Sequence, residues 1–419
     1  MSRVQKARRS ATRMDPRLVE LVRTAPAGGS VASRLGAYLR DGSATVIGRV
    51  VSFALTLVLA LLAAAPFVIL AGSDLPTAAE ALWAGSWGSG RAISETLVQA
   101  IPLVITALAV ALAFQAGLFN IGAEGQLVMG GLAAGAVGAL APLPGPLLIA
   151  ACLLAGMLGG GLWAAIPAAL KAYRGVHEVV TTIMMNYIAF NVSRFLVSPS
   201  GLLVSDSQPS ATEKIPLDAR LAIIAPGTRL HAGLFIAIAV VAILAWVLYR
   251  TPAGFRLRLV GLNPAAARNV GISTMRTTMI AMIASGGLAG LAGAVQVLGL
   301  FGRYYDSFSP GYGFDAIAVA LLGALAPLGI AAAALFFASL EAGAVQLQAV
   351  AGVSREMVSV ISGLVVAFVA AQPALLRLLR HLTRTRRYPG GRDRLDEALP
   401  PALSDDHASM SALDGGARP

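Results

Sequence analysis

Asn120, Glu124 and Gln126 stand in the middle of an otherwise apolar run, ALAFQAGLFNIGAEGQLVMGG at 111–131, with Gly117, Gly122 and Gly125 between them. Two amides and a carboxylate can hydrogen-bond an uncharged polar solute, or they can hydrogen-bond one another and the main chain. A carboxylate at the centre of a membrane helix costs roughly 2.5 kcal/mol or more, so those that occur face a cavity, a partner helix or a pathway. Glycines let a span break, and broken spans survive at membrane depth only where they are buried or line water. The pattern predicts either a route for a polar solute or a lock between two arms of the protein. Both roles stay open for Glu124, as an acceptor from solute hydroxyls or as a brace for the broken helix.

Other polar residues share this apolar setting. Asn186 lies two turns into GVHEVVTTIMMNYIA at 175–189, where with Thr181 and Thr182 it can hydrogen-bond across helices or meet a ligand. Gln296 and Gln346 lie in spans, and Asp315 begins a short one, where a carboxylate can cap the helix or touch a solute. Asn120, Glu124, Gln126, Asn186, Gln296 and Asp315 make up the predicted substrate pathway. The runs Gly156–Gly160 and Gly286–Gly293 predict close helix packing instead.

Catalytic signatures are missing. His177-Glu178 opens HEVVT, without the second histidine that a zinc protease carries one turn later. No Gly-x-Ser-x-Gly elbow occurs. Lys6, Lys171 and Lys214 follow Gln5, Leu170 and Glu213, so no Gly-Lys pair can build a Walker A loop. Histidines at 177, 231, 381 and 407 are too scattered for a metal site, and the single Cys152 excludes an intrachain disulfide. The chain is predicted to be no enzyme and to carry no metal or cofactor of its own.

These groups must be positioned by membrane helices. The 419 residues are 57% hydrophobic and 13% charged, where soluble domains carry about 25% charged residues. The positive residues behind the net charge of +11 cluster in an N-terminal arm, one internal loop and the C-terminal edge, which is the positive-inside pattern and argues against a nucleic-acid face. Residues 1–47 read as a basic cytoplasmic arm with no removable signal segment, 48–375 as the membrane domain, and 376–419 as a disordered cytoplasmic tail. The predicted fold is all-α, with about ten spans at 48–71, 97–115, 123–141, 147–170, 178–197, 232–249, 277–299, 313–326, 329–350 and 356–373.

Charge sets their direction. Segment 250–276 carries Arg250, Arg256, Arg258, Arg268 and Arg276 and no acid, whereas 72–96 carries Asp74, Glu80 and Glu95 against Arg91. Ten crossings that start inside put each such segment on the side its charge prefers, with both termini cytoplasmic. Two junctions hold no charge at all, Gln115–Gly122 and Leu325–Gly329, and predict either discontinuous helices around a central site or two tight turns.

The basic segment has structure of its own. In RTPAGFRLRLVGLNPAAARNVGIS at 250–273, Asn263 suits an N-cap, Pro264 the first helical position, Ala265–Ala267 a helix body and Gly271 its end. A short capped helix outside the membrane is predicted, serving as a connector or docking into a groove on a cytoplasmic partner.

FNIGAEGQ at 119–126, GVHEVVTTIMMNYIA at 175–189, GLNPAAARNVGI at 261–272 and GFDAIAVALLG at 313–323 resemble, in matching order, the permease subunits of bacterial ABC importers for branched-chain amino acids, ribose and nucleosides. The likeness covers roughly 48–375. GLFNIGAEGQ looks most like the nucleoside and simple-sugar permeases, and Gln126 after Ala-Glu-Gly like the larger of two paired permeases. The resemblance implies a plasma-membrane protein embedded in lipid that forms a pore with a second permease. It implies cytoplasmic ATPases docked on Asn263, Pro264, Ala265, Ala266, Arg268, Asn269 and Gly271, and a binding protein or lipoprotein delivering a small-molecule ligand from outside. His177, Met185 and Ala316 stand where the family usually has Asn, Leu and Gly, and Ala324–Ala326 is apolar where relatives are often polar. The expected function is the permease half of an ATP-driven nucleoside importer. The alternatives are a monosaccharide or branched-chain amino-acid permease and, from another class, a self-sufficient secondary transporter.

Overall fold

Helix starts along the chain are written in short polar residues. A computed structural model describes residues 74–352 continuously, with a few isolated positions on either side. Asp74 accepts from the Thr77 amide at 3.1 Å and starts α1 (Leu75–Ser86), with a proline in its first turn. Ser89 accepts from the Ala92 amide at 3.1 Å and starts α2 (Gly90–Gln115). The chain continues as α3 (Ala123–Leu140), α4 (Gly145–Arg174), α5 (Glu178–Leu196) and α6 (Gly233–Arg250). Two short helices follow, α7 (Pro252–Leu262) and α8 (Pro264–Asn269). Then come α9 (Thr274–Gln296), which runs on as a π-helical turn over Val297–Phe301, α10 (Tyr312–Leu322) and α11 (Pro327–Ala351).

The protein is an all-α, multi-pass membrane protein. Among the described residues seven helices are long and apolar enough to cross a bilayer, α10 is a shorter apolar helix, and the only strand-like features are two isolated bridges. Each of these eight begins and ends within several residues of a predicted span. The predicted spans 48–71 and 356–373, the arm 1–47 and the tail 376–419 fall outside the continuously described residues.

Two helices were not anticipated. Segment 72–96, read as an external loop, contains α1, which packs on α11 through Gly85. A Cβ at Gly85 would lie 2.7 Å from Cβ of Gln346, so Gln346 belongs to this helix contact. The second is α7, started by Thr251 accepting from the Gly254 amide at 3.2 Å. The span predicted to reach 326 stops at Leu322, because Ala324 and Leu325 adopt φ of 51° and 56°. That left-handed turn costs a non-glycine residue roughly 1–2 kcal/mol, so it is held by its surroundings.

The packing centre is α2, with 83% of its most apolar stretch buried, against 22% for α5. Beside it α3, α4 and α9 meet in a glycine junction. Gly130, Gly156, Gly160, Gly286, Gly290 and Gly293 touch main chain of a neighbouring helix directly, and a Cβ at Gly160 would come 2.7 Å from Cα of Gly290. This is the close approach predicted from the small-residue runs. With lipid tails as apolar as leucine, such backbone contact supplies the dispersion energy that holds membrane helices together.

On the opposite side from the α7–α8 arm, the 197–232 connection binds the 302–311 connection. Thr212 donates its amide to the Tyr304 carbonyl at 2.8 Å, and Arg194 pairs with Asp306 at 3.0 Å.

Candidate functional site

The predicted break between α2 and α3 is real, and it is filled with hydrogen bonds. Residues 116–122 leave helical geometry through Gly117, at φ 75°. The Asn120 carboxamide then does most of the folding. Its Oδ1 accepts from the Gly122 amide at 3.1 Å, forming an Asx turn, and from Gln126 Nε2 at 3.0 Å. Its Nδ2 donates to Gln126 Oε1 at 2.8 Å and to Ser285 Oγ on α9 at 2.8 Å. Ser285 in turn donates to the Ala109 carbonyl on α2 at 2.6 Å. The two amides thus pair reciprocally and tie α2, α3 and α9 together.

Asn186 closes the other flank. From α5 it accepts from the Gly125 amide at 2.8 Å and donates to the Ile121 carbonyl at 2.9 Å. These are main-chain groups that the break leaves without helical partners. Gly125 is required here, since a Cβ would lie 2.9 Å from Cα of Asn186.

Glu124 crosses to α10. Its Oε2 accepts from the Gly313 amide at 2.5 Å, with Ser309 beside it. A carboxyl group at a helix N-terminus meets the positive end of the helix dipole and its free amides, which favours its place there. The carboxylate that caps α10 is therefore Glu124, contributed from another helix. Asp315 lies on the exposed flank of α10, with Glu341 and Glu124 as acidic neighbours.

The four side chains Asn120, Glu124, Gln126 and Asn186 are at most 2% exposed and bonded as above. Gln296 differs. It is 1% exposed on α9, where the π-helical turn begins, and neither its amide nitrogen nor its amide oxygen has a hydrogen-bond partner. It lies beside the Tyr312 phenol, which donates to Gln99 Oε1 on α2 at 2.7 Å. An orphaned buried amide costs about 1–3 kcal/mol and calls for an explanation, and π-turns occur often at functional sites. Sequence reasoning had Gln296 but missed Tyr312 and Gln99, which look like ordinary span residues until α2 and α10 are side by side.

The two breaks meet each other, and the first also meets the α7–α8 arm. Gln115 Nε2 donates to the Leu325 carbonyl at 3.2 Å, joining the break after α2 to the strained turn after α10. On the other side Gly261 of α7 packs against the 115–117 turn, where its Cβ would lie 2.9 Å from the Gly117 nitrogen. Beyond it Asn263 Oδ1 accepts from the Ala266 amide at 3.0 Å, Pro264 opens α8, and Gly271 closes it at φ 79°. Ala267 is buried, while Asn263, Pro264, Ala265, Arg268, Asn269 and Gly271 are exposed and Ala266 is half-buried. Leu262 and Val270 flank α8 at 84% and 67% exposure, so the arm presents apolar side chains that no described residue covers.

Residues 92–370 match the family model described as branched-chain amino acid transport system / permease component. The chain is 37% identical over 328 residues to the guanosine ABC transporter permease protein NupP of Bacillus subtilis, covering 77% of this chain and 93% of that protein. It is 36% identical to the nucleoside ABC transporter permease protein NupB of Lactococcus lactis, over 70% of this chain and 83% of the relative. It is also 36% identical to the glucose ABC transporter permease protein TsgB13 of Haloferax volcanii, over 66% of this chain and 75% of the relative. No solved structure matches significantly.

Proposed function

Because the chain belongs to the permease-component family of branched-chain amino acid transport systems, we propose that it forms half of the membrane pathway of an ATP-driven nucleoside importer. The observation that carries the mechanism is the contact of Gly261 on the α7–α8 arm with the 115–117 turn between α2 and α3. A push on α8 from a cytoplasmic ATPase passes through α7 to the turn, and from there to Asn120, Glu124 and the strained 323–326 turn. The bonded groups Asn120, Glu124, Gln126 and Asn186 serve the pathway by holding the broken main chain in one of its arrangements. Gln296 and the exposed Asp315 supply free hydrogen-bonding capacity beside the Tyr312–Gln99 pair.

A nucleoside suits such groups, since it offers hydroxyls, ring nitrogens and exocyclic amines without charge. The named substrates of the Bacillus and Lactococcus relatives support this reading. The glucose permease among the relatives favours a monosaccharide as the second reading, using the same hydroxyl chemistry. ATP is hydrolysed in separate subunits, a second permease completes the pore, and a binding protein delivers the ligand from outside. The chain itself needs no cofactor. The α7–α8 arm is cytoplasmic, a placement supported by the five arginines and no acid of segment 250–276, and both termini lie on that side.

Uptake of labelled adenosine and guanosine in cells with and without this gene tests the reading, with glucose and leucine as competitors. Loss of nucleoside uptake without the gene is expected. Intact nucleoside uptake with lost sugar uptake would install the second reading. Within the pathway, Gln296→Leu removes an unpaired buried amide, so the protein keeps or gains thermal stability while uptake falls. Unchanged uptake would remove Gln296 from the pathway.

A further inference from the structure

A long groove opens sideways between α4, α6 and α9, toward the arm end of the helices. Its volume is about 1080 Å³, above the range of about 300–1,000 Å³ usual for small-molecule pockets. Its trough is apolar, with Leu158 and Leu162 on α4 and Ile280 on α9 each more than half exposed. Its mouth is different. Arg256 on α7 and Arg276 on α9 line it together with Ser273, which precedes α9. Both arginines are exposed, and neither has an ion-pair partner among the described residues. Segment 250–276 contains no acid that could neutralise them.

We propose that this groove is a binding site for one anionic phospholipid of the cytoplasmic leaflet. The acyl chains fill the trough, and the phosphate lies between the two guanidiniums and the Ser273 hydroxyl. An apolar trough ending in two unpaired cations at the membrane surface is complementary to that molecule and to few others. A zwitterionic lipid would bring its own ammonium beside the two guanidiniums and cancel the charge its phosphate offers, and an aqueous anion would leave the trough empty. Arginine forks match phosphate oxygens geometrically, and basic pockets between spans on the cytoplasmic side take anionic headgroups. The site has a mechanical consequence. The headgroup bridges α7, which touches the turn between α2 and α3 through Gly261, and α9, which carries Ser285 and Gln296. A bound lipid ties the arm to the helix it must move against. The inference rests on the membrane orientation of the proposed function but not on its substrate.

Native mass spectrometry of the full-length chain, titrated with dioleoylphosphatidylglycerol or dioleoylphosphatidylcholine, reads the preference. The wild-type chain retains the anionic lipid more strongly. In the pair Arg256→Gln with Arg276→Gln the preference drops, by about fivefold per arginine, and Arg256→Lys with Arg276→Lys keeps most of it. Ile280→Trp fills the trough and reduces retention of both lipids. An unchanged preference in the glutamine pair overturns the proposal. A photo-cross-linking residue at position 280, activated in intact membranes, identifies the occupant. A phospholipid adduct supports the site, whereas cross-links to residues 48–71 of the chain or to a second permease overturn it. Failure of nucleoside uptake would leave these readouts untouched, so the two conclusions fall separately.

Discussion

The break between α2 and α3 and the α7–α8 arm are both interruptions of helix, and they treat their exposed chemistry in opposite ways. In the break, Asn120, Gln126, Asn186 and Glu124 hydrogen-bond one another, main-chain amides and a carbonyl, and are sealed from solvent. In the arm, α8 is capped and self-sufficient in its backbone, but Leu262, Val270 and several arginines face outward without partners. An unpaired polar group inside the membrane is costly and so is answered within the chain. Unpaired apolar groups in water are tolerable until a partner covers them. The break is therefore set for folding and the arm for assembly, and the Gly261–Gly117 contact is where the two meet.

This contrast predicts a graded series of stability effects. Asn186→Ala stands at the top, because it strands the Gly125 amide and the Ile121 carbonyl in the interior. About 2–5 kcal/mol is lost, read as a lower thermal midpoint in detergent with uptake falling in proportion. Intact stability would mean that the break is held by packing alone.

His231 extends the sealed class to the connection before α6. Its ring is buried against Gly233 and Gly299, Nδ1 accepts from the Gly233 amide at 3.2 Å, and Nε2 has no partner. Burial pushes this imidazole down from 6.5 to about 4. The folded form keeps the ring neutral, so its stability is full above the ordinary histidine range and drains away as pH falls from 6.5 to about 4. The loss is about 3 kcal/mol. Thermal midpoints across that window should fall more steeply for the wild type than for His231→Gln.

Asn263→Ala removes only the cap of α8 and costs about 1 kcal/mol. Hydrogen exchange should locate the loosening in 263–271 and leave the break protected. Val270→Glu lies at the bottom of the series. At an exposed site it changes stability by no more than about 0.5 kcal/mol, yet it places a charge on the docking face. Uptake and co-purification of the ATPase should drop at least tenfold. A large stability loss there, with transport retained, would reverse the contrast.

Much of this was legible in the sequence. Apolar runs located the seven described helices of membrane length and the shorter α10, because a bilayer imposes a length and a composition that few other environments share. Local chemistry located α8, since Asn263, Pro264 and Gly271 act through neighbours a few residues away. The two uncharged junctions were visible for the same reason, as were the glycine runs that became the α3–α4–α9 junction. What those residues do was not visible. Asn120, Glu124, Gln126, Asn186 and Gln296 are all polar residues in apolar runs, and nothing in their types separates the four that are satisfied from the one that is not. Their partners are Ser285, Gly313 and the carbonyl of Ile121, at separations of 165, 189 and 65 residues. Helix α1 hid within charges that suggested a loop, and the turn at 323–326 shows itself only through left-handed angles at Ala324 and Leu325. Composition, length and nearest-neighbour capping thus determined where the chain crosses, breaks and turns. Whether a polar group in that framework is a brace, a cap or a free hand was decided by tertiary packing, because a hydrogen bond is closed by its partner and that partner lies on another helix.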